Sequence, residues 1–184
     1  TQRVLGSILI GLAKEKPLQD LLDAFEAAGI IVEKVIPGAI AVFSAHDAFG
    51  KKADPDSPDD DLVLVADMGA ENLSIALVLN DKLAFARSDT FGGKNFTESL
   101  AQGLVISPAD AEKLKVARGG LEEREKGVHP DSVMYLRAAS GQLLGMLQAS
   151  LRFASTQIGV SLPALSRVSL LGGGMRLRGL PAFL

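Results

Sequence analysis

Two short stretches combine residue types that could hold a phosphorylated ligand. Asp67-Met68-Gly69-Ala70 follows the apolar run Leu62 to Ala66, so a carboxylate stands at the end of a predicted strand and faces a tight turn. A carboxylate there can hold a hydrated magnesium ion beside a phosphate. Gly69 has no Cβ, so the backbone can approach a phosphate closely, and successive N–H groups of the turn can form an anion-binding nest. Further along, Gly172-Gly173-Gly174 ends a second predicted strand, Arg167 to Leu171. Three glycines at a strand-to-helix junction permit positive φ and the close approach of a planar ligand. A helix starting there, expected from Met175, would turn its partial positive charge toward the same place. Each stretch also has a plain reading, because Asp and Gly are common turn residues and a glycine run can make a turn with no ligand.

Other chemistries find little support. The chain has no cysteine, which excludes disulfides, thiolate metal sites and a cysteine nucleophile. His46 and His129 have no Asp, Glu or His at ligand spacing, and Ser7, Ser74 and Ser169 lack the surroundings of an activated nucleophile. The five aspartates of Gly50 to Asp61 lack the glycine and terminal glutamate of a calcium loop, and they read as a solvated linker. A net charge of -3 over 184 residues gives no electrostatic case for nucleic acid. The apolar run Val4 to Ala13 is too short to span a membrane, which takes about 20 residues.

The elements that must position the two stretches follow from periodicity. Val4 to Ala13 reads as a strand, and a helix carrying Leu18, Leu21, Leu22 and Phe25 follows, with Pro17 in its first turn and Gly29 at its end. Ile30 to Ile36 reads as another strand. Gly38 to Ala48 reads as a helix apolar on nearly every side, hence buried between layers or between domains. Three strands, Leu62 to Ala66, Leu73 to Leu79 and Lys82 to Ser88, should form a meander, with Asn80-Asp81 as a two-residue hairpin turn. Helices are expected from Gly92-Gly93 to Gln102, from Ser107-Pro108 to Gly119 and from Asp131 to Gly159. The strand Arg167 to Leu171, parallel to the first of the three, and a helix from Met175 complete the chain.

In order and content these stretches resemble the actin-like ATPases, and among them the PilM family of type IV pilus assembly. Asp67-Met68-Gly69-Ala70 is similar to the family's second phosphate motif, in which Asp-Ile-Gly-Ala is common. Arg87, Phe91-Gly92-Gly93 and Thr97 match a further family pattern, and Ala111-Glu112 with Lys115 resembles its Ala-Glu-x-x-Lys helix. Leu171-Gly172-Gly173-Gly174, Leu177 and Gly179-Leu180 resemble its adenosine motif. Ala27-Ala28-Gly29-Ile30 and the helix Gly38 to Ala48 resemble the small inserted subdomain and connecting helix of PilM and the division protein FtsA.

The resemblance implies an α/β chain of the actin-like, ribonuclease H-like fold. It would have a small inserted α/β subdomain over 1–37, a connecting helix and acidic loop over 38–60, and an actin-like subdomain over 61–184. It implies that Asp67 binds Mg2+ through water and that Gly69 and Ala70 face the phosphates of ATP. Glu112 would meet the ribose, Lys115 the adenine edge, and Gly172, Gly173 and Gly174 would lie along the adenosine. It also implies a cytoplasmic scaffold, at most a weak ATPase, that docks the cytoplasmic tail of an inner-membrane pilus protein and leaves self-association open. An FtsA-like filament protein and a sugar-kinase-like phosphotransferase are the alternatives. Where FtsA and actin carry Gly-Gly-Thr-Thr or similar after the aspartate, this chain has Ala70-Glu71-Asn72-Leu73, and Glu71 sets a negative charge beside the expected phosphate. Both ends of the chain run through apolar sequence and read as cut from a longer protein. ATP binding by this chain alone should therefore be weak or absent.

Overall fold

The computed structural model describes residues 12–50, 61–159 and 161–184. The chain divides into two compact units, Thr1–Pro37 and Gly38–Leu184. In the first, helix α1 (Glu15–Ala27) has Glu15 in its first turn, where a negative charge suits the helix dipole. It ends in a left-handed cap at Gly29, with φ of 72°. Ile30 N–H donates to Phe25 O at 2.9 Å and Gly29 N–H to Glu26 O at 2.9 Å, the paired bonds that close a helix through a glycine. The expected strand over Ile30 to Ile36 is not formed, and Ile31 is 90% exposed. A strand exists only through a paired ladder, and its expected neighbour lies almost wholly outside the described residues, as does the acidic run 51–60.

The second unit is built on a four-stranded sheet in the order β3-β2-β1-β4. Strands β1 (Leu62–Met68), β2 (Leu73–Leu79) and β3 (Lys82–Asp89) form the antiparallel meander, and β4 (Leu165–Leu171) pairs parallel to β1. Asn80 and Asp81 take φ of 51° and 60°, the two left-handed residues that a tight hairpin turn requires. Central β1 is buried on both sides, which explains its unbroken apolar run. Leu62, Leu64, Ala66 and Met68 join the main core with Ile75 and Leu77. Phe96 of helix α3 (Gly93–Leu104) and Leu136 and Leu143 of helix α5 (Pro130–Ile158) pack there as well. Val63, Val65, Ala76 and Val78 form a smaller core on the other face with Val42 of helix α2 (Gly38–Phe49). Helix α2 buries only Ala39, Val42 and His46, and Phe49 is 91% exposed. Among the described residues α2 meets one layer rather than two, so its remaining apolar side chains stay partly open.

Helix α4 (Pro108–Arg118) starts as its sequence predicts. Ser107 Oγ accepts from Asp110 N–H at 3.1 Å, and Pro108 needs no partner at the first position. The helix expected from Met175 is replaced by one 3-10 turn over Gly173–Arg176 and a short helix α6 (Leu180–Phe183). The break has a cause in the chain. Leu121 N–H donates to Arg178 O at 3.1 Å and Gly120 bridges Arg178, so residues 177–178 are drawn out as an extended segment against the loop after α4.

The start of α3 is fastened to the turn between β1 and β2. Gly93 N–H donates to Gly69 O at 2.9 Å and Lys94 N–H to Ala70 O at 2.8 Å. Gly92 makes this approach possible, since a Cβ there would lie 2.5 Å from the Ala70 carbonyl. Gly92→Ala should therefore cost about 1–3 kcal/mol of stability, as overpacked sites do. Gly141→Ala, on an open face of α5 with nothing within 4 Å, should stabilise by about 0.5–1 kcal/mol. Urea unfolding of the two variants checks the pair, and equal effects would contradict the junction.

Candidate functional site

The β1–β2 turn, the start of α3, α4 and the glycine run enclose a cleft of about 800 Å3. Six of the eight residues expected to bind nucleotide or metal line it together: Gly69, Ala70, Glu112, Lys115, Gly173 and Gly174. Asp67 and Gly172 do not line it and stand beside each other at the ends of β1 and β4. A Cβ on Gly172 would fall 2.4 Å from Asp67 Oδ1. Among the described residues the Asp67 carboxylate has no hydrogen-bond or ion-pair partner, and no cluster of three metal-ligating side chains occurs.

The turn's backbone is partly committed. Gly69 N–H donates to Asn72 O at 2.9 Å, closing the hairpin, and the carbonyls of Gly69 and Ala70 serve the start of α3. Among the described residues the N–H groups of Ala70 and Glu71 stand outside this network. Gly69 itself would tolerate a side chain, whose Cβ would meet only Asn72 O at 3.6 Å. Its N–H is therefore not part of an anion nest here, and the open N–H groups are those of the next two residues.

The three glycines of the run differ in what they do. Gly172 holds φ of 85° and packs against Met68 and Asp67, and a Cβ on Gly174 would fall 2.8 Å from the Met68 side chain. Both positions are closed by the fold. Gly173 has nothing within 4 Å of its missing Cβ and lines the cleft. Gly173 and Gly174 both line the cleft, and only at Gly173 would an added side chain meet open space.

Glu112 and Lys115 form a knot with α3. Lys115 Nζ donates to Gly93 O at 2.8 Å, to Thr97 Oγ1 at 2.8 Å and to Glu112 Oε2 at 2.7 Å. Thr97 Oγ1 is within reach of both Glu112 and Gly93 O, and its single proton serves one of them at a time. The pattern Ala-Glu-x-x-Lys thus ties α4 to α3, and its polar atoms are largely spoken for within the fold. Burial pushes the Glu112 carboxyl up, but hydrogen bonds from Lys115 and Thr97, with the Lys115 charge, hold it below the usual carboxylate value.

The charge of Glu71, which the sequence sets against a phosphate, is balanced. Glu71 Oε1 accepts from Lys94 Nζ at 3.1 Å across 23 residues of sequence. The cleft wall also holds Leu177 of the motif resembling the adenosine motif, and Val116, Gly119, Arg176 and Arg178, to which sequence reasoning gave no role at the site. The two arginines follow the glycine run directly, so a signal was there in Gly-Gly-Gly-Met-Arg-Leu-Arg. Lys94 could not be found that way, because its pairing depends on how α3 meets the turn.

A depressed carboxyl contributes stability that is present above its unfolded value and lost as pH falls through the lower folded one. Glu112→Gln should therefore be less stable than wild type at neutral pH, and the gap should close as the pH falls through the depressed folded value. Thr97→Val, which strips the buried hydroxyl from the knot, should cost about 1–2 kcal/mol. Thermal melts from neutral to acid pH measure both, and a gap that widens in acid would contradict the network.

The family model for type IV pilus assembly protein PilM matches residues 3–184. The cell division protein FtsA of Rhizobium meliloti (strain 1021) is 28% identical over 62% of this chain and 30% of its own length. The structure of a PilM-PilN type IV pilus biogenesis complex matches at TM-score 0.70 and 27% identity, covering 93% of this chain and 45% of that one. MreB5 of Spiroplasma citri bound to ADP matches at TM-score 0.65 and 15% identity, covering 93% and 57%, a likeness of fold. The chain thus spans 30% to 57% of the length of these relatives. It has the mixed α/β architecture of the actin-like fold, and it belongs to the PilM family of type IV pilus assembly proteins.

Proposed function

We propose that the chain forms one wall of a nucleotide-binding cleft in a type IV pilus assembly scaffold. That scaffold docks the tail of an inner-membrane partner at the cytoplasmic face. The observation that carries the nucleotide reading is the contrast within the glycine run. Gly172 and Gly174 are closed by Met68 and Asp67, while Gly173 faces the cleft with open space where a side chain would be. A cleft of about 800 Å3 is large enough for a nucleotide. MreB5 of the same fold has been solved with ADP and with AMPPNP.

In this reading the adenosine lies along Gly173 and Gly174, with Glu112 and Lys115 on its sugar and base side. The phosphates sit toward Ala70, and Asp67 holds Mg2+ through water. Magnesium typically keeps most of its water and takes one or two carboxylates plus phosphate oxygens, so a single unpaired carboxylate is enough. Bound magnesium would screen the phosphate charge. The chain's own part is to orient the nucleotide and keep the turn rigid, and no group of the cleft stands ready as an acid or base for turnover.

The docking half of the proposal rests on family membership and on the likeness to the PilM-PilN complex. Among the described residues no helix is long and apolar enough to cross a membrane. The cytoplasmic tail of an inner-membrane pilus protein is the expected partner.

Calorimetric titration of the full protein with ADP and ATP should show binding, while the 184-residue chain alone binds weakly or not at all. Gly173→Val should fill the open space and weaken binding by at least about tenfold with little loss of stability, because no protein atom is displaced. Asp67→Ala should remove the magnesium dependence. A pull-down with the tail of a candidate pilus membrane protein tests the docking half. No retention of any such tail, with rapid ATP-dependent phosphorylation of a small molecule, would replace the scaffold with a kinase.

A further inference from the structure

Four cationic side chains line the cleft: Lys94, Lys115, Arg176 and Arg178. Their commitments differ. Lys115 is only 14% exposed in its side chain and is held by three internal acceptors. Arg178 donates from Nη2 to Ala117 O at 3.1 Å, and its backbone is tied to Leu121. Arg176 stands on the 3-10 turn after the glycine run. Lys94 alone is anchored at the β1–β2 turn, through its N–H on Ala70 O at 2.8 Å, with its ammonium group on one acceptor, Glu71.

That ion pair is loose. The two side chains are 59% and 62% exposed, so water screens the attraction and little is lost when it opens. Glu98, one turn along α3, adds a second negative field, and with Glu71 it keeps the Lys94 ammonium charged. A terminal phosphate carries nearly two negative charges at neutral pH and offers three oxygen acceptors. Such a group arriving at the open N–H groups of Ala70 and Glu71 competes with one carboxylate for an ammonium that is already fixed nearby by its backbone.

We infer that Lys94 is the phosphate-receiving cation of the cleft and that Glu71 holds its place until a phosphate exchanges for it. This rests on the nucleotide reading above and adds the residue that senses the phosphate end. Lys94 distinguishes a phosphorylated ligand from its nucleoside. Glu71 sets the threshold, because it must be displaced and then sits beside the bound anion.

The test is calorimetry on the full protein at low salt with ADP and with adenosine. Lys94→Met should weaken ADP binding about 5-fold while leaving adenosine unchanged, and raising the salt should shrink the difference. Glu71→Gln should do the opposite and tighten ADP about 3-fold, since it frees Lys94 and removes a repelling charge. Lys94→Arg should keep most of the affinity. Both positions are exposed, so the variants should melt like wild type. Unchanged ADP binding in Lys94→Met, an equal loss for adenosine, or weaker ADP binding in Glu71→Gln would overturn the inference while wild-type binding leaves the cleft assignment standing. No ADP binding by wild type would remove both.

Discussion

The hydrogen-bonded junction between the β1–β2 turn and the start of α3 governs the rest of the cleft. Two backbone bonds, Gly93 N–H to Gly69 O and Lys94 N–H to Ala70 O, hold the helix end against the turn. They require a glycine at position 92, and they bring Lys94 and Thr97 to the cleft wall. From there Thr97 and the Gly93 carbonyl catch Lys115, which fixes α4 through Glu112. The loop after α4 then holds Arg178 and so fixes how the chain leaves the glycine run. Turn, helix start, second helix and glycine run form one continuous chain of contacts around the cavity.

The charges of the cleft are arranged as pairs of unequal firmness. Glu112 and Lys115 share a half-buried knot in which three acceptors surround one ammonium, and such a network is costly to open. Glu71 and Lys94 share an exposed contact that costs little to exchange. The firm pair belongs to the architecture, and the loose pair sits where a ligand's charge would arrive. Family resemblance alone gives Glu112 and Lys115 a ligand-facing role, yet their atoms also join α3 to α4. A substitution at either would therefore disturb both structure and binding, whereas Gly173 separates the two.

Much of the architecture was legible in the sequence because its signals are local. Asn80-Asp81 dictates its own turn, Ser107-Pro108 its own helix start, and the continuous apolar run Leu62 to Ala66 marks a strand buried on both faces. What stayed hidden depends on distant parts meeting. The strand expected over Ile30 to Ile36 has the right composition, but no ladder forms there among the described residues. The helix expected from Met175 is broken because residues 177–178 pair with the loop after α4, far away in sequence. At the cleft, the residue types pointed to Gly69, Gly173 and Gly174, and the family resemblance added Ala70, Glu112 and Lys115. The separate work of the three glycines and the neutralisation of Glu71 by Lys94 required coordinates.

Membership in the PilM family and the actin-like fold give the cleft its context, and the internal geometry supports the proposed nucleotide. The most direct test is a crystal structure of the full protein grown with ADP and magnesium. The account predicts the adenosine against Gly173 and Gly174 near Val116 and Leu177, with the phosphates at Ala70 and Glu71. Nucleotide density elsewhere on the molecule, or a cleft that stays closed to ADP at saturating concentration, would contradict it.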